Sequence, residues 1–253
     1  SFYSDDGSTA VEVSLKMAAQ YWRNKGEENR TLFVSMTNSY HGDTFGAMAL
    51  GGSPVFHANF SEFLFPVRRF DCTREESRKN TPAASLEAPS DGSLEEILQR
   101  EGDKIAAVII EPVLQGAGGM ILWPSESLVE IRELCDRYGT LLIADEVFTG
   151  FGRTGRLFAC EHGPIVPDII CLSKALTAGY MPLAVTLATA EIYNSFLSED
   201  RGKTFFHGHS YTANALACAV ALENLDILED EDILGRISRI EELFKERVQK
   251  LES

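Results

Sequence analysis

Two polar residues that follow apolar, strand-like runs could together do chemistry on an aldehyde. Lys174 follows the run Ile169–Leu172, and Asp145 follows Leu141–Ala144. A lysine directly after an apolar strand is expected to be partly desolvated, which favours the neutral amine, a nucleophile toward a carbonyl. An aspartate at the neighbouring strand end could keep a pyridine nitrogen protonated. Position alone leaves other interpretations open, a lysine that extends its amine to solvent and an aspartate that caps a helix.

A third candidate segment offers an anion site. Gly7-Ser8-Thr9 stands where a helix is expected to begin, so its free backbone N–H groups, a hydroxyl and the positive end of the helix dipole would converge. Most Gly-Ser turns merely cap a helix. Lys174 for an aldehyde, Asp145 for a ring nitrogen, and Gly7 with Ser8 for a phosphate together match pyridoxal 5′-phosphate.

The elements that must position these residues are those of an α/β protein. Short runs that are apolar on both faces predict a mostly parallel sheet covered by helices on both sides: Leu32–Met36, Ile105–Ile110, Leu141–Ala144, Ile169–Leu172 and Leu183–Leu187. Ligands bind beyond the carboxyl ends of such strands, so Asp5 to Ser8, Glu111, Asp145 and Lys174 should face one crevice.

Helical spacing predicts the covering elements. A helix should begin near Ser8 or Thr9, with a strand before it, and others are expected over 128–138 and 214–228. The chain ends in an amphipathic helical pattern, and residues 72–93 form a polar excursion between sheet-type runs.

Composition narrows the class of protein. The sequence has 253 residues, 23 basic against 38 acidic, for a net charge of −15. Such a balance disfavours nucleic-acid and anionic-membrane partners. The longest clean apolar run, Ile105–Ile110, falls far short of the roughly 20 residues that a membrane-spanning helix needs. The 5 scattered cysteines include no CxxC pair, so a cytoplasmic location is expected.

Six segments resemble the class III pyridoxal-phosphate aminotransferases, in order and over nearly the whole chain. They are SDDGSTAVEVSLKMA, SYHGDTFGAMALGG, AAVIIEPVLQGAGGM, LLIADEVFTGFGRTGRLFACEH, PDIICLSKALTAGYMPLAVTLAT and HGHSYTANALACAVA. Within the family, YHGDT, EPVLQGAGGM and FGRTGRLFACEH are most similar to the branch that converts 8-amino-7-oxononanoate to 7,8-diaminononanoate in biotin biosynthesis. S-adenosylmethionine is the amino donor in that branch. The resemblance implies the type I fold of pyridoxal-phosphate-dependent transferases.

The resemblance also implies roles for individual residues. Lys174 would bond covalently to the cofactor and act as general base, and Asp145 would pair with the pyridine nitrogen. The other implied cofactor contacts are Gly7 and Ser8 on the phosphate, Val147 and Tyr40 on the two ring faces, and Glu111 beside the cofactor. Tyr40 would also take part in catalysis.

Substrate contacts and a partner subunit are implied in the same way. Tyr40, Asp43, Arg153 and Gly208 match positions that line the substrate pocket of this branch. Ser210 matches a phosphate-contacting threonine that the neighbouring subunit supplies, so a homodimer with shared active sites is expected. No metal site is expected, because His207 and His209 have no nearby third ligand.

Two departures from the family pattern bear on function. Phe148 stands where most class III enzymes have a glutamine that binds the ring hydroxyl, which favours the diaminononanoate-forming branch. Family members are also longer, so we expect a fragment. It would comprise a large cofactor-binding domain over residues 1–230, incomplete at its start, and in 231–253 the beginning of a connection to an absent small domain.

The residues leave three alternatives open. Another class III enzyme acting on ω-amino acids would differ in its amino donor. An aminomutase of the same fold would return the amino group to the same carbon skeleton. A catalytically incomplete fragment would act only as a fold or interaction module and would not bind pyridoxal phosphate.

Overall fold

The computed structural model describes residues 1–52, 54–72 and 89–252, which form an α/β fold around a central sheet. The strands are β1 Phe2–Ser4, β2 Leu32–Met36, β3 Val67–Phe70, β4 Ile105–Ile110, β5 Leu114–Gln115, β6 Ile121–Leu122, β7 Leu141–Asp145, β8 Ile169–Leu172 and β9 Ala184–Ala188. The sheet has the order β1-β9-β8-β7-β4-β2-β3, and β5 pairs with β6 in a separate hairpin.

Strand direction determines which loops meet. The strands from β3 through β2, β4 and β7 to β8 are parallel to their neighbours. Strand β9 is antiparallel both to β8 and to β1, and two antiparallel steps restore the original direction. The carboxyl ends of β1, β2, β4, β7 and β8 therefore lie at one edge of the sheet, where ligands bind in open α/β sheets.

Helices and short 3₁₀ turns connect the strands. The α-helices are α1 Gly7–Asn24, α2 Phe45–Leu50, α3 Pro54–His57, α4 Leu94–Glu101, α5 Glu126–Arg137, α6 Ala190–Ser195, α7 Ala215–Asp230 and α8 Ile233–Glu252. The 3₁₀ turns are Ala58–Phe63, Gly102–Lys104, Ala159–His162, Lys174–Thr177 and Arg201–Lys203. Among the described residues, no helix is long and apolar enough to span a bilayer.

The core lies on both faces of the sheet. Every residue of β4 is buried, and successive residues point to opposite faces. Ala107 and Ile109 pack in one cluster with apolar residues of α1, whereas Val108 and Ile110 pack in another with residues of α4 and α5. This double coverage explains why the strand has no polar positions.

The predicted fold class is confirmed: the sheet is mostly parallel and has helices on both faces. Each of the five predicted strands is present to within one residue at either end, a strand does precede α1, and α1 begins at Gly7. Of the predicted polar excursion, residues 73–88 lie outside the described residues. The division into domains at residue 230 stays a prediction.

Candidate active site

A cavity of about 520 Å³ opens at the carboxyl edge of the sheet. We call it the carboxyl-edge cavity. It brings together eight residues predicted from the sequence, Gly7, Ser8, Tyr40, Asp43, Glu111, Asp145, Val147 and Lys174. Asp6, also expected at this edge, lines the cavity too, whereas Asp5, expected there as well, does not. The other lining residues are His41, Gly42, Gly116, Ala117, Met120 and Phe148. The segments that follow β1, β2, β4, β7 and β8 all contribute to this lining, as the strand directions require.

Asp145, the last residue of β7, is buried and held by two partners. Its Oδ2 lies 2.7 Å from Nδ1 of His41, and its Oδ1 accepts a hydrogen bond of 3.1 Å from the backbone N–H of Val147. Both carboxylate oxygens therefore have fixed directions. His41 is buried as well, and its Nε2 has no hydrogen-bond partner within the part of the chain that the structure describes.

Lys174 begins the 3₁₀ turn after β8 in a left-handed backbone conformation, with φ of +46°. Such a conformation is unfavourable for a non-glycine residue and persists only where neighbours enforce it. The buried hydroxyl of Ser173 donates to the Leu183 carbonyl at 2.8 Å, and that of Thr177 donates to Met181 at 2.6 Å. These bonds hold the turn against the start of β9.

The expectation that Lys174 is partly desolvated is wrong for this structure, because the residue is exposed. The lysine stands on a turn beyond the strand end, on an open cavity, rather than within the sheet. Its Nζ lies 5.2 Å from the centre of the Phe148 ring. The amine is thus accessible to a ligand that enters the cavity.

The start of α1 forms another part of the cavity lining. Asp6 is the N-cap, and its Oδ1 accepts hydrogen bonds from the Thr9 N–H at 3.0 Å and the Ser8 hydroxyl at 2.6 Å. The N–H groups of Gly7 and Ser8 occupy the first two helical positions, which have no acceptor within the helix. An anion can therefore bind these amides, but it must compete with Asp6 for the Ser8 hydroxyl.

Two glycines allow the walls of this part of the cavity to approach closely. A Cβ atom on Gly7 would lie 2.5 Å from Cγ1 of Val147. Gly42 has φ of +123°, and a Cβ atom there would lie 2.2 Å from Cβ of Ser8. The loop after β2 thus lies directly against the start of α1, and neither position has room for a side chain.

Tyr40 projects from that loop beside a second histidine. Its ring stacks with that of His57, with the ring centres 6.2 Å apart, and meets Phe56 edge-on at 5.6 Å. Burial, followed by a hydrogen bond to Asp43, raises the pKa of Tyr40 to about 12. His57 is buried, and neither ring nitrogen has a hydrogen-bond partner among the described residues. Burial lowers its pKa, and the Asp43 carboxylate, 3.8 Å from Nε2, opposes this change.

Glu111 is a buried carboxyl group that ties two loops together. Its Oε1 accepts from the Tyr40 N–H at 2.9 Å, and its Oε2 accepts from the Gly116 N–H at 3.0 Å. Burial is the main cause that raises its pKa to about 7. His41 opposes this rise in pKa, and Asp145 adds to it. The backbone of Tyr40 is therefore fixed from β4 as well as from β2.

Three predicted site residues lie outside the cavity. Arg153 donates from Nε to the Phe148 carbonyl at 2.7 Å, and its guanidinium lies 4.5 Å from the centre of the Phe148 ring. Phe148 thus separates Arg153 from the cavity that the ring lines. Gly208 and Ser210 are exposed, on a segment that does not reach the cavity of this chain.

Sequence reasoning missed the partners that orient the site. The roles of His41 and His57 arise only when the loop after β2 reaches β7 and the last residue of α3. In the linear sequence, only the adjacency of His41 to Tyr40 in YHGD points to one of them. Gly116, Ala117 and Met120, from the β5–β6 hairpin, were also missed.

The residues present fit pyridoxal 5′-phosphate. The cavity has a primary amine, a buried carboxylate with fixed oxygens, and free amides at a helix start, one for each functional end of that molecule. The side chains of Val147 and Tyr40 also line the cavity and give it an apolar and an aromatic wall.

Comparison with known proteins agrees with this geometry. The family model described as aminotransferase class-III matches residues 1–253. The adenosylmethionine-8-amino-7-oxononanoate aminotransferase of Geobacter sulfurreducens is 50% identical over 255 residues, 99% of this chain and 56% of that protein. The enzyme of the same name from Aquifex aeolicus is 44% identical over 252 residues, 98% of this chain and 55% of that protein. The chain therefore spans about half the length of these curated relatives.

Solved structures give the same result. The crystal structure of adenosylmethionine-8-amino-7-oxononanoate aminotransferase from Methanocaldococcus jannaschii superposes with a TM-score of 0.87 at 39% identity, covering 100% of this chain and 56% of that one. A PLP-bound amine transaminase from an uncultivated Pseudomonas species gives 0.86 at 38% identity, covering 99% and 57%. With a family model that matches its whole length, this chain belongs to the class III aminotransferase family.

Proposed function

We propose that this protein catalyses a transamination that depends on pyridoxal 5′-phosphate. The observation that carries the proposal is the convergence of Lys174, Asp145 and the start of α1 on one cavity. Lys174 would bond to the aldehyde, Asp145 would pair with the ring nitrogen, and Gly7 and Ser8 would bind the phosphate.

The cofactor supplies an electron sink that stabilises negative charge on the substrate carbon. The protein supplies placement and proton transfer. Asp145, held by His41 and the Val147 N–H, presents a carboxylate oriented before the reaction begins. The Nζ of Lys174, which is exposed on the cavity, would accept a proton from the substrate carbon and deliver it to the cofactor carbon that carried the aldehyde.

For the substrates we propose 8-amino-7-oxononanoate as acceptor and S-adenosylmethionine as amino donor, in biotin biosynthesis. The names of relatives up to 50% identical support this choice. Tyr40 and Asp43 would line the substrate pocket, and the Asp43 carboxylate is suited to bind a substrate ammonium group. Arg153 would contribute from behind the ring of Phe148, and Gly208, whose segment does not reach this chain's own cavity, would line the pocket of the partner subunit.

We propose further that the enzyme is a cytoplasmic homodimer with shared sites. Ser210 would bind the phosphate held by the partner subunit. Support comes from the exposure of Ser210 in a segment with large exposed apolar side chains: Phe206 is 66% and Tyr211 is 69% exposed.

A donor screen tests this function. The protein, supplied with pyridoxal 5′-phosphate and 8-amino-7-oxononanoate, should form 7,8-diaminononanoate with S-adenosylmethionine, measured by mass spectrometry. Lys174→Ala should abolish product formation, whereas Lys104→Ala, a change at an exposed lysine outside the cavity, should not. Product with simple amines but none with S-adenosylmethionine would instead favour an amine transaminase, the activity named for the structural neighbour from Pseudomonas.

A further inference from the structure

The exposed segment that carries Gly208 and Ser210 has no core of its own. We call residues 201–212 the strap. None of its residues is buried, and beyond the 3₁₀ turn Arg201–Lys203 it has no regular secondary structure. Its position must therefore come from contacts with the rest of the molecule.

A polar stripe on α1 supplies those contacts. Lys16, Gln20 and Asn24 are spaced four residues apart, which places them on one face of the helix. Gln20 Nε2 donates to the carbonyls of Lys203 and Thr204 at 3.2 and 3.0 Å. Asn24 Nδ2 donates to the same Lys203 carbonyl at 3.3 Å.

Of the three stripe residues, Lys16 contacts the strap at the positions nearest to Ser210 in the chain. Its Nζ donates to the Phe206 carbonyl at 3.2 Å and lies 2.9 Å from Nδ1 of His207. Burial, together with the Lys16 charge, lowers the pKa of His207, so the neutral ring can accept this hydrogen bond.

Two further contacts tie the strap to the start of the chain. The ring of Phe205 packs edge-on against Phe2 of β1, with the ring centres 5.6 Å apart. Nδ1 of His209 lies 3.5 Å from the carboxylate of Asp5, between β1 and α1. The residue before Ser210 thus touches the segment that leads into the phosphate end of this chain's own cavity.

We propose that Lys16, Gln20 and Asn24 are positioning residues that hold the strap so that Ser210 reaches the phosphate bound by a second copy of this chain. The inference rests on the proposed shared sites and adds the side chains on α1 that would place Ser210 in them. Helix α1 thus begins at the phosphate site of one subunit and holds the strap that serves the other.

Mixed dimers test this proposal, because the stripe should act on the partner's site and not on its own. Two differently tagged copies are co-expressed, and one carries Lys174→Ala, so that only the other copy can bond covalently to pyridoxal 5′-phosphate. The measured quantity is the rate at which the cofactor leaves that site, followed by its visible absorbance.

In the first arm, Lys16→Ala and Gln20→Ala are placed on the copy that carries Lys174→Ala. The strap that serves the competent site is then disturbed, and release should be about tenfold faster, a change equivalent to one lost charge-assisted hydrogen bond. In the second arm the same two changes are placed on the other copy, and release should keep the unsubstituted rate. Equal rates in both arms, or an effect in the second arm alone, would overturn the proposal.

A conservative variant and a control variant distinguish a role of Lys16 in positioning the strap from a general loss of stability. Lys16→Arg keeps a cationic donor and should restore the slow rate in the first arm. Lys25→Ala, a lysine just after α1 that pairs with Glu191, should leave both arms unchanged. If the double variant does not fold, Lys16→Ala alone takes its place, with the same expected asymmetry.

Ser210→Ala distinguishes failure of this inference from failure of the shared site. If Ser210→Ala on the copy that carries Lys174→Ala speeds cofactor release and the stripe variants on that copy do not, the shared site is correct and only the positioning role of the stripe is wrong. If Ser210→Ala has no effect on either copy, or if no dimer forms, the shared site is wrong and the inference with it.

Discussion

At the scale of single residues, His41 holds Asp145, the carboxylate at the end of β7, in one orientation. A polar residue at the end of an apolar strand is visible in the sequence, because strand ends define the ligand edge. The 2.7 Å contact between His41 and Asp145 joins residues 104 positions apart. Nothing local to either residue indicates it.

Replacing His41 tests this pairing. His41→Ala should lower the free energy of unfolding by about 1–3 kcal/mol, because a buried carboxylate oxygen loses its partner. It should also weaken binding of pyridoxal 5′-phosphate about tenfold, since Asp145 loses its fixed orientation. His41→Asn, whose amide can donate to Asp145, should recover part of the affinity.

Urea unfolding and a cofactor titration measure the two effects of the His41 variants. His162→Ala serves as the control, at an exposed histidine outside the cavity. If His41→Ala bound the cofactor as tightly as the unsubstituted protein, His41 would not position Asp145.

Glu111 predicts a pH dependence of stability. Its pKa is about 7 in the folded protein against an ordinary 4.5, so between these values the folded state binds the extra proton. The free energy of unfolding should therefore fall as the pH rises from 4.5 to 7, by on the order of 3 kcal/mol at most, because the folded state loses this extra proton. Glu111→Gln removes the titration, so its stability relative to the unsubstituted protein should rise with pH over that interval.

Urea unfolding at a series of pH values measures this difference and cancels the other titrating groups. Glu133→Gln is the matched control, since Glu133 is exposed on α5. A difference between Glu111→Gln and the unsubstituted protein that stayed constant with pH would show that Glu111 does not titrate in this range.

At the scale of elements, strands that are apolar throughout could be predicted from the sequence, whereas strands that contain charged residues or only two residues could not. Every residue of β4 is buried, and its uniform apolar character indicates a central strand. Strand β3 has Arg68 and Arg69 at its centre, where Arg68 pairs with Glu101 and Arg69 donates to backbone carbonyls. These guanidinium groups obscure the strand pattern. The β5–β6 hairpin has only two residues in each strand, too few for any periodicity.

Gly42 allows the loop after β2 to lie against the start of α1, where we propose that the phosphate binds. Gly42→Ala adds a methyl group at a φ of +123° and 2.2 Å from Cβ of Ser8, so the loop after β2 must move away from α1. We expect a loss of about 2–4 kcal/mol in unfolding free energy, combining backbone strain with the clash. Weaker cofactor binding should accompany it.

Gly26→Ala is the matched control for this change. Gly26 also has a positive φ, +84°, but a Cβ atom there meets nothing within 4 Å. It reports the backbone cost alone, roughly 1 kcal/mol. Equal losses for Gly26→Ala and Gly42→Ala in urea unfolding would mean that the contact between Gly42 and Ser8 does not matter.

At the scale of the whole molecule, one chain holds eight of the predicted site residues in its cavity and presents Gly208 and Ser210 to solvent. If the partner subunit supplies Ser210, cofactor retention must depend on protein concentration. Dilution below the dimer dissociation constant should speed release of pyridoxal 5′-phosphate about tenfold. Ser210→Ala should release it quickly at every concentration.

A release rate that did not change on dilution, while sedimentation showed the dimer dissociating, would contradict the shared site. The sequence could imply this role for Ser210 only through the family resemblance, because an exposed serine carries no signal of a second subunit.

We propose that Lys174 is the residue that holds the cofactor in the carboxyl-edge cavity. The most direct test is to incubate the protein with pyridoxal 5′-phosphate, reduce it with borohydride, digest it and locate the modified peptide by mass spectrometry. One pyridoxyl group per chain should be found, on Lys174, and Lys174→Ala should remove it. Modification spread over exposed lysines, or unchanged by Lys174→Ala, would contradict this proposal.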